Sequence, residues 1–303
     1  MTFAFPLVIA LLLDAALGEP KWLWSRIPHP AVLMGRLVGW LDARLNRGTQ
    51  KRLAGVLALI ALIAVALLTG LLLAALPLGP VIEILVAAMI LAQRSLADHV
   101  AAVADALRLS LSDGRIAVAK IVGRDTSDMD APAVARGAIE SAAENLSDGV
   151  VAPAFWFLIG GLPAMLIYKI VNTADSMIGY RSPRHEAFGW AAARFDDLLN
   201  WVPARLTAAL IALAHARPDA ARVIRRDAAL HRSPNAGWPE AAMAVVLNIS
   251  LSGPRTYDGV SRDFPFVHPE GHPPLAPEVD ASVRALWRSW ALLILIVSVL
   301  ALL

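Results

Sequence analysis

Residues 169–175 read KIVNTAD, and helical steps of three and four put Lys169, Asn172, Asp175 and the following Ser176 on one face. A carboxylate and a carboxamide supply oxygen to a divalent cation, and an ammonium neutralises phosphate, so this face suits a metal-associated phosphate. The other reading is that Lys169 and Asp175 only neutralise each other inside a helix bundle. The stretch before them, VVAPAFWFLIGGLPAMLIY (150–168), carries no charge. Ionisable groups beside such a run cost several kcal/mol unless they face a cavity or a partner.

Three more polar clusters stand out. GRDTSDMDAP (123–132) gathers Arg124, Asp125, Thr126, Asp128 and Asp130, carboxylates for Mg²⁺ beside a hydroxyl and a guanidinium for phosphate oxygens. Asp130, two residues before Pro132, reads better as a helix N-cap, while Arg124 and Asp125 stay open between structure and binding. In RGAIESAAENLSDG (136–149), Arg136, Glu140, Glu144 and Asp148 recur every four residues, with Asn145 beside them. On a soluble helix that stripe is a solvated face with an Arg136–Glu140 pair. Here it runs into the apolar segment, which places Glu144, Asn145 and Asp148 at a membrane mouth. GWAAARFDDLLNWVPARL (189–206) pairs Asp196 with Asp197 among Arg194, Asn200 and Arg205, although Trp190 and Trp201 also suit an aromatic belt. Asn235 and Glu240, in SPNAGWPEA, are ligands or simply turn and cap residues. His29, His185 and His231 have no metal-site spacing, and no P-loop, dinucleotide fingerprint or nucleophile elbow occurs.

The elements that position these residues are membrane helices. The 303 residues are 57% hydrophobic and 17% charged, and the mean hydropathy is +0.59. Soluble domains carry about a quarter charged residues. Residues 53–76 are uncharged and exceed the roughly 20 needed to cross a bilayer. Further spans are expected at 2–17, about 79–93 and 286–303, with weaker apolar segments at 150–168, 204–216 and 241–251. With no alternating strand pattern, the expected fold is all-α: a single polytopic membrane domain of about four to six membrane helices, with residues 94–149 as a cytoplasmic helical layer. The loop 18–52 holds Lys21, Arg26, Arg36, Arg44, Arg47, Lys51 and Arg52 against Glu19 and Asp42, so the positive-inside rule makes it cytoplasmic. A full span at 150–168 would put Lys169, Arg181, Arg184 and Arg194 outside. A segment broken at Gly160, Gly161 and Pro163, re-entering from the cytoplasm, avoids that. The N-terminus has no basic region or cleavage site and reads as a retained helix. The net charge of +2 without a basic run argues against nucleic acid, and the absence of cysteine excludes thiolate chemistry.

The clusters describe a membrane-embedded site for a phosphorylated, Mg²⁺-associated anion. An enzyme is favoured over a transporter because no internal repeat is found. LLLDAALGEP, HPAVLMGR, GRDTSDMD, ESAAENLSDGVVAPAFW, YKIVNTADSMIGYRSPRHEAFGWAAARFDDLLNWVPARLTA and RDAALHRSPNAGWPEAAMA, in this order, closely resemble the adenosylcobinamide-phosphate synthase family of cobalamin biosynthesis, known as CobD or CbiB. Residues after about 260 are generic. The resemblance implies a multi-pass inner-membrane ligase that joins adenosylcobyric acid to (R)-1-aminopropan-2-ol O-phosphate, or to aminopropanol, using ATP and Mg²⁺ on the cytoplasmic side. The other late enzymes of the pathway are candidate partners. It assigns no catalytic residues, so roles come from the clusters. Asp148, Asp175, Asp196 and Asp197 are expected to hold Mg²⁺, and Arg124, Asp125, Thr126, Arg181 and Arg194, with Lys169, to meet phosphates. Glu144 is the expected base, and Asn145 and Asn172 orient substrate. The other classes are a membrane alcohol-phosphate or prenyl-diphosphate transferase, and a corrinoid-binding or transport protein.

Overall fold

Helix α1 (Ala4–Leu17) is apolar apart from Asp14 and ends at Gly18, whose φ of 56° suits a residue without Cβ. After the short α2 (Lys21–Trp24), α3 (Pro30–Leu45) opens where His29 Nδ1 accepts the Ala31 N–H and Pro30 takes the first position. Next come α4 (Lys51–Ala74), α5 (Gly79–Ile90), α6 (Gln93–Leu109), α7 (Leu111–Val118), α8 (Ala131–Leu146), a π turn (Ser147–Val151) and α9 (Ala152–Ile178). Helices α10 (Trp190–Leu199), α11 (Trp201–Ala214), α12 (Ala221–Ala228) and α13 (Gly237–Leu247) follow, then strands β1 (Leu251–Ser252), β2 (Arg255–Tyr257), β3 (Val260–Arg262) and β4 (Phe266–Val267), and helix α14 (Ala276–Leu302). The computed structural model describes residues 3–257 and 260–303; Thr2, the first residue of the expected 2–17 span, lies outside them.

Among the described residues four stretches are long and apolar enough to cross a membrane: Lys51–Ala74, Gly79–Leu109, Ala131–Ile178 and Ala276–Leu302. The bent pair of α10 and α11 makes a fifth, and α1 is a shorter apolar helix. The chain is an all-α polytopic membrane protein. Among the described residues four short strands interrupt the helices: β1 pairs with β4 and β2 with β3, both antiparallel. Strand alternation is not legible in runs of two or three residues. The 241–251 segment is not one apolar element, since α13 stops at Leu247 and Asn248 turns left-handed (φ 54°) before β1. The last helix begins ten residues before 286, because Glu278, Asp280 and Arg284 interrupt the apolar pattern of its first turns.

Packing divides the chain into two compact units. The first comprises residues 1–92, 152–200 and 296–303. Here α9 packs against α3, α4 and α10. Helix α4 turns Gly55, Ala58, Leu59, Leu62, Ala66 and Gly70 inward and leaves Leu57, Ile60, Leu68 and Leu72 for lipid. Small residues let membrane helices approach closely: a Cβ on Gly70 would lie 2.5 Å from Pro163 Cα, and one on Gly55 1.9 Å from Phe188 O. The break anticipated in 150–168 falls at Gly160 (φ −143°, ψ 24°) and Gly161 (φ 63°, ψ −156°).

The second unit comprises residues 93–151 and 201–295. Its α6 buries Leu96, Val100 and Val103, while Arg94 and Asp98 pair on the outer face, as the pattern requires. Helix α8 buries Val134, Ala138, Ile139 and Ala142 and packs against α6, α7 and α13. Its N-cap is Asp130, whose Oδ1 accepts the Ala133 N–H at 2.8 Å with Pro132 in the first turn.

Candidate functional site

In the second unit Glu140 is the hub. Helix α8 carries it inward rather than along a solvated face. Arg124 Nη2 donates to its Oε2 at 2.5 Å. Arg255 Nη2 reaches Oε1 at 3.0 Å, and the Ser252 N–H donates to the same oxygen at 2.7 Å. The side chains of Arg124, Glu140 and Arg255 are only 8, 6 and 10% exposed. Ser252 (φ 62°) and Gly253 (φ 82°) are consecutive left-handed residues, a conformation costly for serine that turns its N–H toward the carboxylate. Gly137 lies against the Arg124 guanidinium, where a Cβ would sit 3.0 Å from Nη2.

Beside this hub opens a cavity of about 250 Å³ lined by Arg124, Arg136 and Arg255, by Ser252, and by Asp125, Asp128 and Asp130. The three aspartates are exposed at its rim. Arg136 lies 5.4 Å from the Phe266 ring centre, which fixes its direction. Thr126 lines a separate shallow depression with Ser112, Arg115 and Ile116.

One turn beyond Glu140, Glu144 lies on the exposed side of α8. Its charged neighbours are Arg255, Arg232, Glu140 and Arg124. Asn145 donates to Ser141 O (2.9 Å) and Ser141 Oγ (3.2 Å), and Ser141 Oγ donates to Ile121 O. The π turn follows at once and contains the half-buried Asp148; single π turns are frequent at functional sites. Deeper still, His231 Nδ1 accepts the Ser233 N–H at 3.0 Å, so Nε2 carries the proton and faces Glu240 Oε1 at 3.5 Å. Burial pushes the Glu240 carboxyl well above its ordinary range, and the carboxylates of Glu140 and Glu144 add to this against the pull of Arg255 and Arg124. Burial, helped by Arg255, lowers the His231 imidazole to about 4.

The first unit holds a separate polar chain. Tyr168 donates to Asn200 Oδ1 at 3.0 Å, Asn200 Nδ2 to Asp196 Oδ2 at 3.1 Å, and Asn172 Nδ2 to Asp196 Oδ1 at 3.3 Å. All four side chains are buried. Asp175 and Asp197 are acidic neighbours of Asp196. Asp197 accepts from Arg194 at 3.4 Å and lies near Arg181, and both arginines are exposed. Lys169 is half-buried, one helical turn from Asn172 and from Thr173, which donates to its carbonyl.

Asn172, Asp175, Asp196, Asp197, Arg181 and Arg194 therefore belong to one neighbourhood, and Arg124, Asp125, Glu144, Asn145 and Asp148 to the other unit. Among the described residues no group of three or more His, Asp or Glu is placed to hold a metal ion. No motif or spacing in the sequence marks Arg255 or Ser252, and Glu140 reads there only as a partner for Arg136. The one signal for the first two was an arginine after a Gly-Pro turn in an otherwise apolar stretch, 251–255.

The profile of the family described as CobD/Cbib protein matches residues 7–286. The chain is 51% identical over 299 residues to the cobalamin biosynthesis protein CobD of Rhizobium meliloti, covering 93% of this chain and 91% of the relative. The protein of that name from Brucella anthropi is 46% identical, with 95% and 93% covered, and that from Rhodobacter capsulatus 46%, with 100% and 99% covered. No solved structure matches the chain.

Proposed function

The chain belongs to the CobD/CbiB family, and from that membership we propose that it works in cobalamin biosynthesis as an adenosylcobinamide-phosphate synthase. In this reading it joins a propionate carboxylate of adenosylcobyric acid to the amine of (R)-1-aminopropan-2-ol O-phosphate, with ATP as the energy source. The observation that carries the handling of anionic substrate is the Arg124–Glu140–Arg255 hub, two buried guanidinium groups fixed by one carboxylate beside an open cavity.

The bonds follow from the class of reaction. The γ-phosphoryl group of ATP passes to a propionate oxygen, the amine nitrogen bonds the acyl carbon, and the carbon–oxygen bond to phosphate breaks. ADP, inorganic phosphate and one proton leave. Glu144, placed one turn from the hub, takes the proton of the attacking ammonium. The fixed guanidinium groups meet the charge that develops on phosphate. Within the first unit, Asp175 and Asp196 are the neighbouring carboxylates that would hold a Mg²⁺ ion, which would supply positive charge to offset phosphate oxygens.

The test uses detergent-purified protein with adenosylcobyric acid, aminopropanol phosphate and Mg²⁺, with and without ATP, followed by corrinoid mass and released ADP. Amide formation that depends on ATP and yields ADP is the expected result. Corrinoid binding without any change in its mass or in ATP would refute the ligase and leave a binding or transport protein.

A further inference from the structure

We propose that Arg205, clasped by the indole rings of Trp201 and Trp238, holds the phosphate of an anionic phospholipid whose acyl chains lie along the exposed face of α11. The site lies wholly within the second unit, and nothing in it depends on which reaction the chain catalyses.

Arg205 is the only charged residue among the 14 of α11. Its Nη1 donates to the Trp201 carbonyl at 2.6 Å and to Asn235 Oδ1 at 3.3 Å. The guanidinium carbon lies 4.4 Å from the Trp201 ring centre and 4.6 Å from that of Trp238. Two elements build the clasp. Trp201 opens α11, and the Trp238 N–H donates to Asn235 O at 3.0 Å in a turn where Ser233 Oγ accepts the N–H groups of Asn235 and Ala236. Stacking on indole faces suits a planar, delocalised guanidinium and holds it in one orientation.

No carboxylate among the described residues pairs with this cation, and its three remaining N–H groups, on Nε and Nη2, have no acceptor among them. Other arginines of the same unit are neutralised: Arg94 pairs with Asp98, and Arg124 with Glu140. A fixed guanidinium beside apolar surface is costly without a counter-charge. The Nε and Nη2 edge presents parallel N–H groups, and the two oxygens of a phosphate match that fork.

The face of the helix selects the source of that phosphate. Helix α11 turns Pro203, Ala204, Thr207, Ala208 and Ile211 inward and packs against α13 and the π turn. Val202, Leu206, Ala209 and Leu213, at steps of four and three, form the opposite stripe and are exposed. That stripe runs about 16 Å at 1.5 Å per residue, close to half of the roughly 30 Å hydrocarbon core. Arg205 and the exposed Trp201 stand at one end of it, where an aromatic belt and a headgroup meet. A free phosphate ion would leave the stripe uncovered, whereas a phospholipid covers both parts. The lack of a counter-charge favours a headgroup with net negative charge over a zwitterionic one.

Thermal midpoints of the full chain in detergent test this, titrated separately with dihexanoylphosphatidylglycerol, dihexanoylphosphatidylcholine and inorganic phosphate. Phosphatidylglycerol should raise the midpoint saturably, with an apparent affinity about tenfold or more above that of phosphatidylcholine, since only its charge is left for Arg205 to balance. Arg205→Gln should bring the two lipids together. Arg94→Gln, which removes a guanidinium already paired with Asp98, should keep them apart. Leu206→Gln, on the exposed stripe, carries the test if Arg205→Gln does not fold: it should weaken phosphatidylglycerol by at least about threefold. Equal responses to the two lipids in wild type, or a preference that survives in Arg205→Gln, would overturn the site. Unchanged phosphatidylglycerol affinity in Leu206→Gln would overturn the placement along α11. A shift from inorganic phosphate as large as that from phosphatidylglycerol, lost in Arg205→Gln, would overturn the lipid and leave a free-anion site.

Discussion

At the scale of single residues, the two polar groups respond to substitution differently. Asp175 sits beside Asp196 at the end of α9, and Asp175→Asn keeps its shape while removing its charge. Turnover should fall by about 10²-fold or more, as when one fixed electrostatic contact is lost, with extraction yield unchanged; full activity would remove Asp175 from the site. His231 and Glu240 speak through pH instead. Glu240 is protonated in the fold above its ordinary range, so it lowers stability as pH rises from that range toward its raised value. His231 stays neutral down to about 4, so the unfolded chain binds more protons between its ordinary value of 6.5 and about 4, and stability falls as pH drops through that window. In wild type the two slopes oppose each other there. Glu240→Gln should expose the histidine slope, at most about 1.4 kcal/mol per pH unit, as a thermal midpoint in detergent that falls from pH 6.5 toward 4. A midpoint in that variant indifferent to pH would show that His231 is not held neutral. Asp130 was legible as a cap because capping is local. The Glu140 hub was not, because its Ser252 contact spans 112 residues and no spacing rule reaches that far.

At the scale of elements, the broken α9 and the hairpin of α4 and α5 could be read directly, since glycine and proline inside an uncharged run mark where helix cannot continue. Which face of α4 packs inward could not, because both faces are apolar and only its small residues distinguish them. The structure makes Gly70 decisive: its missing Cβ is where the Pro163 backbone lies. Gly70→Val should therefore destabilise by about 1–3 kcal/mol, the usual cost of overpacking, seen as a lower thermal midpoint in detergent. Leu72→Ile, on the face left to lipid with 68% exposure, should leave the midpoint where it is. Equal effects from the two would mean that α4 does not pack on Pro163. The π turn was invisible in the sequence: the four-residue stripe from Arg136 to Asp148 looks continuous, but the helix widens at Ser147 and α9 leaves in a different phase.

At the scale of the whole molecule, hydropathy locates the spans and only charge orients them. The basic loop 18–52 is expected on the cytoplasmic side. Within the first unit, Arg184 pairs with Asp42, Asn46 Nδ2 donates to Arg184 O at 3.1 Å, and Arg52 lies 3.8 Å from the centre of the Trp190 ring. These contacts tie the 179–189 loop to the loop before α4, so both must share one side of the membrane. The turn between α4 and α5 lies at the far end of a 24-residue helix, about 36 Å away at 1.5 Å per residue, which is enough to cross. Because the chain has no cysteine, single cysteines report sidedness without background. An impermeant maleimide added to sealed right-side-out vesicles should modify Leu78→Cys and spare Thr49→Cys and Glu186→Cys until the vesicles are opened. Labelling of Thr49→Cys and Glu186→Cys from opposite sides would contradict the Asp42–Arg184 pairing. Reversal of all three would overturn the orientation read from charge, and with it the cytoplasmic approach of ATP to Asp175 and Asp196.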